Sequence, residues 1–228
     1  MSIKVNNISK IFNQQKALDS ISFQAHPGDI IGILGPNGAG KSTIMKIITG
    51  YFYQTDGTVH VCGKNTLEDE FIIKTKIGYL SEENPLYTDM YVREFLEFIC
   101  DIHKIHYTNC DKMIKLTGLS TEQHKKINTL SKGFQQRIGL SQALIHNPEV
   151  IILDEPTSGL DPKQLIEIRK IIINIGKQKT VLLSTHIIQE VEAMCNRVII
   201  LNNGKIVANK KIEEFDKKIE ASFLQLIK

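Results

Sequence analysis

From Ile3 to Ala25, apolar positions alternate with polar ones in short runs. Ile3-Lys4-Val5, Ile8 to Phe12 and Ile21-Ser22-Phe23-Gln24-Ala25 are separated by polar turns, and Thr58-Val59-His60-Val61 repeats the pattern. Alternation predicts half-buried strands, here a small antiparallel sheet. The pattern then changes. Ile30-Ile31-Gly32-Ile33-Leu34, Val150-Ile151-Ile152-Leu153, Thr180 to Ser184 and Arg197 to Leu201 are nearly continuous apolar runs. Such runs, alternating with helical stretches, predict a parallel sheet covered on both faces.

The helical stretches have their own signals. Lys41 to Thr49 follows the first apolar strand. From Met90 to Asn147 the chain is mostly helical: Val92, Phe95, Leu96 and Ile99 share one spacing, as do Met113 and Leu116, and Ile138 to Ile145. Asp161-Pro162 predicts a helix start, with Asp as cap and Pro in the first turn. Leu165, Ile168, Ile172 and Ile175 are its predicted apolar stripe, and Gly176 its predicted end. The lysine-rich tail after Asn209 reads as a solvated amphipathic helix.

Composition narrows the class. The chain has 228 residues, 42% hydrophobic and 23% charged, which suits one α/β domain. Within it the expected parts are an antiparallel β-subdomain in about residues 1–65, a helical subdomain in about 85–147, and an α/β core. The formal net charge of +3 is too small to imply a nucleic-acid partner. Cys62, Cys100, Cys110 and Cys195 form no CxxC pair; Cys110-Asp111 is at most a weak ligand pair. No secretory leader is read at Met1, and the apolar runs are too short to cross a bilayer. Any membrane-spanning part is expected on another chain.

Gly35-Pro36-Asn37-Gly38-Ala39-Gly40-Lys41-Ser42 fits G-x-x-x-x-G-K-[ST] between a strand and a helix. Glycines let backbone N–H groups converge on phosphate oxygens, and the helix N-terminus adds partial positive charge. Lys41 is expected to reach the β- and γ-phosphates, Ser42 to ligate magnesium and Thr43 to support the α-phosphate. The apolar strand from Val150 ends in Asp154-Glu155. Acids beside a polyphosphate need a cation. Asp154 fits the magnesium-facing acid, and Glu155 can polarise an attacking water.

Leu130-Ser131-Lys132-Gly133-Phe134-Gln135-Gln136-Arg137 precedes an apolar helix, with Ser131 placed to cap it. In order and spacing, this segment, the phosphate loop, Asp154-Glu155, Ser158-Gly159-Leu160-Asp161 and His186 resemble the ATP-binding cassette family over nearly the whole chain. The resemblance implies a P-loop NTPase core, ATP and Mg2+ as ligands, ATP hydrolysis, and a head-to-tail pairing with a second ATPase domain, a homodimer in the simplest case. Ser131 and Gly133 would then meet the γ-phosphate across the interface. Asp161 would pass information between sites, and His186 would contact the γ-phosphate. Phe12 would stack on adenine.

Two residues depart from the family pattern. Glu82 stands where a glutamine is usual and is expected to keep the metal-sensing role. Lys132 replaces the first glycine of the usual pair, either as a cation near the partner's phosphates or as a solvated first-turn residue. Glu82 to Tyr87 and Met90 to Glu94 resemble cassettes of ABC-2-type exporters, including gliding-motility and multidrug-type ATPases. This implies a separate transmembrane permease and a peripheral position on the cytoplasmic face of the inner or plasma membrane. Leu86, Tyr87 and Tyr91 are expected either to anchor that permease or to cover the helical core. The competing classes are a cassette acting on nucleic acid or ribosomes, which commonly has a second cassette or coiled-coil arms, and a non-hydrolysing regulatory cassette.

Overall fold

The computed structural model describes residues 1–215 and 219–226. The chain begins with β1 (Ile3–Phe12), β2 (Gln15–Ala25) and β3 (Ile30–Leu34), followed by α1 (Lys41–Ile48), β4 (Asp56–Val61) and β5 (Lys64–Asn65). Next come α2 (Glu70–Lys76), β6 (Ile77–Leu80), α3 (Val92–His103), α4 (Thr108–Leu116) and α5 (Lys132–Leu144). It continues through β7 (Val150–Asp154), α6 (Pro162–Gly176), β8 (Thr180–Thr185) and α7 (Ile188–Met194). It ends with β9 (Arg197–Asn202), β10 (Lys205–Lys211) and α8 (Ile219–Leu226).

Two sheets result. The alternating segments form an antiparallel sheet in the order β2-β1-β4-β5. The continuous apolar runs form the second, ordered β10-β9-β3-β8-β7-β6 and parallel except for β10. Its central strands β3, β7 and β8 are buried at every position, because both faces are covered. One face packs with α1 against the antiparallel sheet through Ile31, Ile33, Met45, Val59 and Ile152. The other packs against α5 and α6 through Leu140, Leu153, Ile168, Ile172 and Leu183. A third cluster, with Phe95, Leu96, Cys110, Ile114 and Ile138, joins α3, α4 and α5.

Register decides where the chemistry gathers. Leu34 pairs with Thr185, and Asp154 pairs with Ser184. The ends of β3, β7 and β8 therefore lie side by side, and the phosphate loop, the two acids and His186 leave the sheet from one edge. Ligands in open α/β sheets bind at the carboxyl ends of strands.

Some local expectations hold and others need correction. Gly176 ends α6 as expected, though without a left-handed conformation. It is small because an added Cβ would lie 2.3 Å from Ile30 Cδ1. Ile171 is buried on the face of α6 assigned to Leu165, which is only half-buried. Leu116 is exposed at the end of α4. The segment from Asn209 continues β10 to Lys211 before any helix, and Ile219 of α8 is buried beside Val191 and Val198 rather than solvated. Cys110 is buried, Asp111 pairs with Arg93, and no cluster of three His, Cys, Asp or Glu ligands exists among the described residues. Leu86 packs on the helical cluster, whereas Tyr87 and Tyr91 are exposed. No helix among the described residues is long and apolar enough to cross a membrane.

Candidate active site

The loop between β3 and α1 is shaped by two left-handed glycines, Gly38 at φ 79° and Gly40 at φ 104°. A Cβ on Gly40 would stand 2.7 Å from Leu18 Cδ2 and 2.9 Å from the Ala17 carbonyl. A Cβ on Gly35 would stand 2.4 Å from the Leu201 carbonyl. Gly40 is therefore required by both conformation and space, Gly38 by conformation and Gly35 by space. Lys41 is only 7% exposed. Its Nζ donates to the carbonyls of Gly35 at 2.8 Å and Pro36 at 3.1 Å. Burial pushes its pKa down, opposed by the negative charges of Glu155, Asp154 and Glu82.

The loop walls a cavity of about 390 Å³ with Asn37, Gly38, Gly40, Lys41, Ser42 and Thr43. Ala17 of β2, Glu82 and Glu155 complete the wall. Pro36 and Ala39 do not line it: the Pro36 carbonyl accepts from Lys41 Nζ, and Ala39 is buried with its N–H bonded to the Pro36 carbonyl at 3.2 Å. Glu82 also borders a second cavity of about 300 Å³, which lies between Tyr51, Tyr79, Pro85 and Gln142.

Asp154 and Glu155 adopt different roles in the geometry. Asp154 is 1% exposed. Its Oδ1 accepts from Ser42 Oγ at 3.1 Å and from Ser184 Oγ. Ser184 Oγ in turn accepts the N–H of Glu155 at 2.9 Å. Glu155 has left the strand with φ 49°, in the left-handed region, and both its carboxylate oxygens lie 3.1 Å from His186 Nδ1. Burial raises the Glu155 pKa, and the hydrogen bond from His186 followed by the charge of Lys41 pulls it back. His186 is 56% exposed on the solvent side of this pair.

Magnesium fits these residues without needing a cage of its own. Ser42, Asp154 and Glu82 offer hard oxygen donors beside a phosphate-sized cavity, and magnesium commonly takes one or two protein oxygens plus substrate phosphates.

The remaining candidates lie elsewhere on the chain. Ser131, Gly133 and Asp161 do not line the phosphate-loop cavity. Ser131 is the N-cap of α5, yet its hydroxyl makes no capping bond, contrary to expectation, and the residue is exposed. Gly133 is buried under Gln164, whose Oε1 would be 2.0 Å from an added Cβ. Asp161 caps α6: its Oδ1 accepts from the Gln164 N–H at 2.9 Å. Lys132 is an exposed first-turn residue of α5. Its stem crosses Gly159, where an added Cβ would lie 3.0 Å from Cδ and 3.1 Å from Cε. Phe12 ends β1 at 38% exposure. It packs edge-on against Phe52 at 5.5 Å, with Lys10 Nζ 4.7 Å from its ring centre.

Sequence reasoning missed four contributors. Ala17 reaches the cavity from another sheet. Ser184 bridges Asp154 and Glu155, and a hydroxyl ending an apolar strand was the available signal. Gln136 donates to the Pro156 carbonyl, and Glu190 accepts from Thr157 and Thr185. Nothing local marked the last two as buried.

Comparison with known proteins agrees with this geometry. A family model described as ABC transporter matches residues 18–158. An uncharacterised ABC transporter ATP-binding protein of Methanocaldococcus jannaschii is 40% identical over 222 residues, covering 95% of this chain and 80% of that protein. The bacitracin transport ATP-binding protein of Bacillus licheniformis is 34% identical, covering 95% of this chain and 72% of its own length. Among solved structures, the ATP-binding cassette MJ0796, a dimer in a post-hydrolysis state with ADP and phosphate, is 26% identical. Its TM-score is 0.85, over 93% of this chain and 100% of that one. An acid pair where a buried strand ends, a glycine-shaped phosphate loop and a family match over most of the sequence lead to one assignment: this chain belongs to the ABC transporter family, as an ATP-binding, ATP-hydrolysing subunit.

Proposed function

We propose that two copies of this chain enclose ATP at two composite sites and that their closing and opening drives a separate transmembrane permease. One observation carries the hydrolytic part: Glu155 and His186 face each other at 3.1 Å beside the phosphate-loop cavity. Backbone N–H groups of Gly38 to Thr43 and the α1 N-terminus receive the phosphates. Lys41, a buried ammonium held by the Gly35 and Pro36 carbonyls, turns to the β- and γ-phosphates. Ser42, Asp154 and Glu82 hold magnesium, which when bound neutralises charge on the phosphate oxygens. Glu155, its basicity raised by burial, takes the proton of the attacking water, and His186 orients that carboxylate. Phe12 offers its exposed ring to adenine.

Ser131 is exposed at the start of α5, away from its own phosphate loop, which suits contact with the γ-phosphate held by the second copy; Gly133, buried under Gln164, would join it once that side chain moves aside. Asp161, at the start of α6, then faces the opposite site. Loss of phosphate leaves this interface without its bridging charge, and closure is favoured only while ATP binds the closed state more tightly. Tyr87, Tyr91 and the cavity beside Glu82 are the proposed contacts for the permease, with the chain peripheral to the cytoplasmic face of the membrane. The Bacillus licheniformis relative is a bacitracin transport ATP-binding protein, which supports a transport role; export as the direction rests on the resemblance of Glu82 to Tyr87 and Met90 to Glu94 to ABC-2-type cassettes.

The test is Glu155→Gln. The variant is expected to bind ATP with near-native affinity, to hydrolyse it about 100-fold more slowly or worse, and to accumulate as an ATP-dependent dimer by light scattering. Native turnover would remove Glu155 as the base. Co-purification with a permease from detergent-solubilised membranes tests the transport role; persistent isolation from any membrane chain would overturn it.

A further inference from the structure

Glu190, in α7, is 1% exposed and forms no ion pair among the described residues. Its Oε2 accepts from Thr185 Oγ1 at 2.9 Å and from Thr157 Oγ1, while its Oε1 has no hydrogen-bond partner there. Both threonines are buried, at 0% and 5% exposure respectively. A carboxylate buried without a cation is costly, and packing alone would be served better by an aliphatic side chain. Its two partners explain its presence. Thr157 lies in the turn that begins at Glu155, where the Ser158 N–H returns to the Glu155 carbonyl at 3.2 Å. Thr185 ends β8 immediately before His186, and its Oγ1 also accepts the Ile187 N–H at 3.1 Å.

We infer that Glu190 is a positioning residue for hydrolysis: one carboxylate oxygen ties the Glu155 turn to the His186 turn and so sets the separation of the pair. This rests on the reading of Glu155 and His186 as the hydrolytic pair. Glu190 itself touches neither the cavity nor the reacting atoms. Its influence falls on orientation, where small displacements of a base cost much rate.

Steady-state ATPase assays on Glu190→Ala, Glu190→Gln and Thr157→Val, with thermal unfolding of each, test the inference. Glu190→Ala is expected to lower kcat about 10- to 100-fold with KM for ATP within about twofold. Glu190→Gln keeps an oxygen for both hydroxyls and is expected to stay within about threefold of native kcat. Thr157→Val removes one hydroxyl at nearly constant shape and is expected to lower kcat about 3- to 10-fold. Should Glu190→Ala fail to fold, Thr157→Val decides. The inference is overturned if kcat survives in Thr157→Val, if Gln rescues no better than Ala, or if kcat and KM decline together with melting temperature. Native-like Glu190 variants beside an inactive Glu155→Gln would sink this inference alone; an active Glu155→Gln would sink both readings.

Discussion

The side-chain amide of Gln136 donates to the carbonyl oxygen of Pro156 at 3.1 Å. Gln136 is 5% exposed in α5, and Pro156 follows Glu155 directly. The helix that begins at Ser131 is thus bonded to the turn that holds the proposed base. Gln136→Leu keeps most of the volume but leaves a buried carbonyl unpaired. It is expected to cost about 1–3 kcal/mol of stability and to lower kcat more than it raises KM. Urea unfolding and steady-state kinetics on one preparation check both.

His103 and His146 stack with ring centroids 4.1 Å apart and planes 1° from parallel. His146 Nε2 lies 3.0 Å from the Ile77 carbonyl, so it is the protonated nitrogen; Nδ1 is buried with no partner among the described residues. Burial first, then the neighbouring His103, lowers the His146 pKa to about 4, with Lys179 adding to the effect. The unfolded chain therefore binds more protons between that value and the ordinary histidine pKa of about 6.5. The resulting stability is whole above the upper limit and declines as pH falls toward the lower one, by on the order of 1–2 kcal/mol once solvent screening of this partly exposed ring is allowed for. Replacing His146 with Phe is expected to flatten that part of the stability curve, measured as unfolding free energy against pH relative to native protein.

Gly78 in β6 touches α5 backbone to backbone: an added Cβ would lie 1.9 Å from the Ala143 carbonyl. Neither atom belongs to a flexible side chain, so strand and helix would have to separate. Gly78→Ala is expected to cost at least about 3 kcal/mol, seen as a large fall in melting temperature or in soluble yield. A variant as stable as the native chain would refute this close approach.

Glu82 faces Lys41, Ser42 and Glu155 across one cavity. Glu82→Gln removes a negative charge beside the phosphate site but keeps an oxygen ligand. ATPase activity is expected to stay within about fivefold of native, with a shifted magnesium requirement. Collapse of activity at saturating magnesium would show that the carboxylate has a separate duty.

Much of the site was readable because its signals are local. The phosphate loop carries its glycines within a few residues of each other, and continuous burial of β3, β7 and β8 follows from apolar runs in the chain. Asp161 capped as its type and spacing implied. What escaped depended on partners distant in sequence. Glu190 sits among Gln189 and Glu192 and reads as a solvent-facing acid, yet the end of β8 and the turn after β7 enclose it. Ser131 has the residue type of a cap but directs its hydroxyl elsewhere. Lys132 reads as a charge for solvent, and only the fold lays its stem on Gly159.

The chain of hydrogen bonds from Ser42 through Asp154 and Ser184 to the Glu155 N–H joins the tips of α1, β7 and β8 by protein contacts alone. Folding has therefore already met most of the ordering entropy that nucleotide capture would otherwise demand of these tips. Calorimetry of ATP entering a single copy should accordingly show a small heat-capacity change, with the large one reserved for the step in which two copies bury surface against each other.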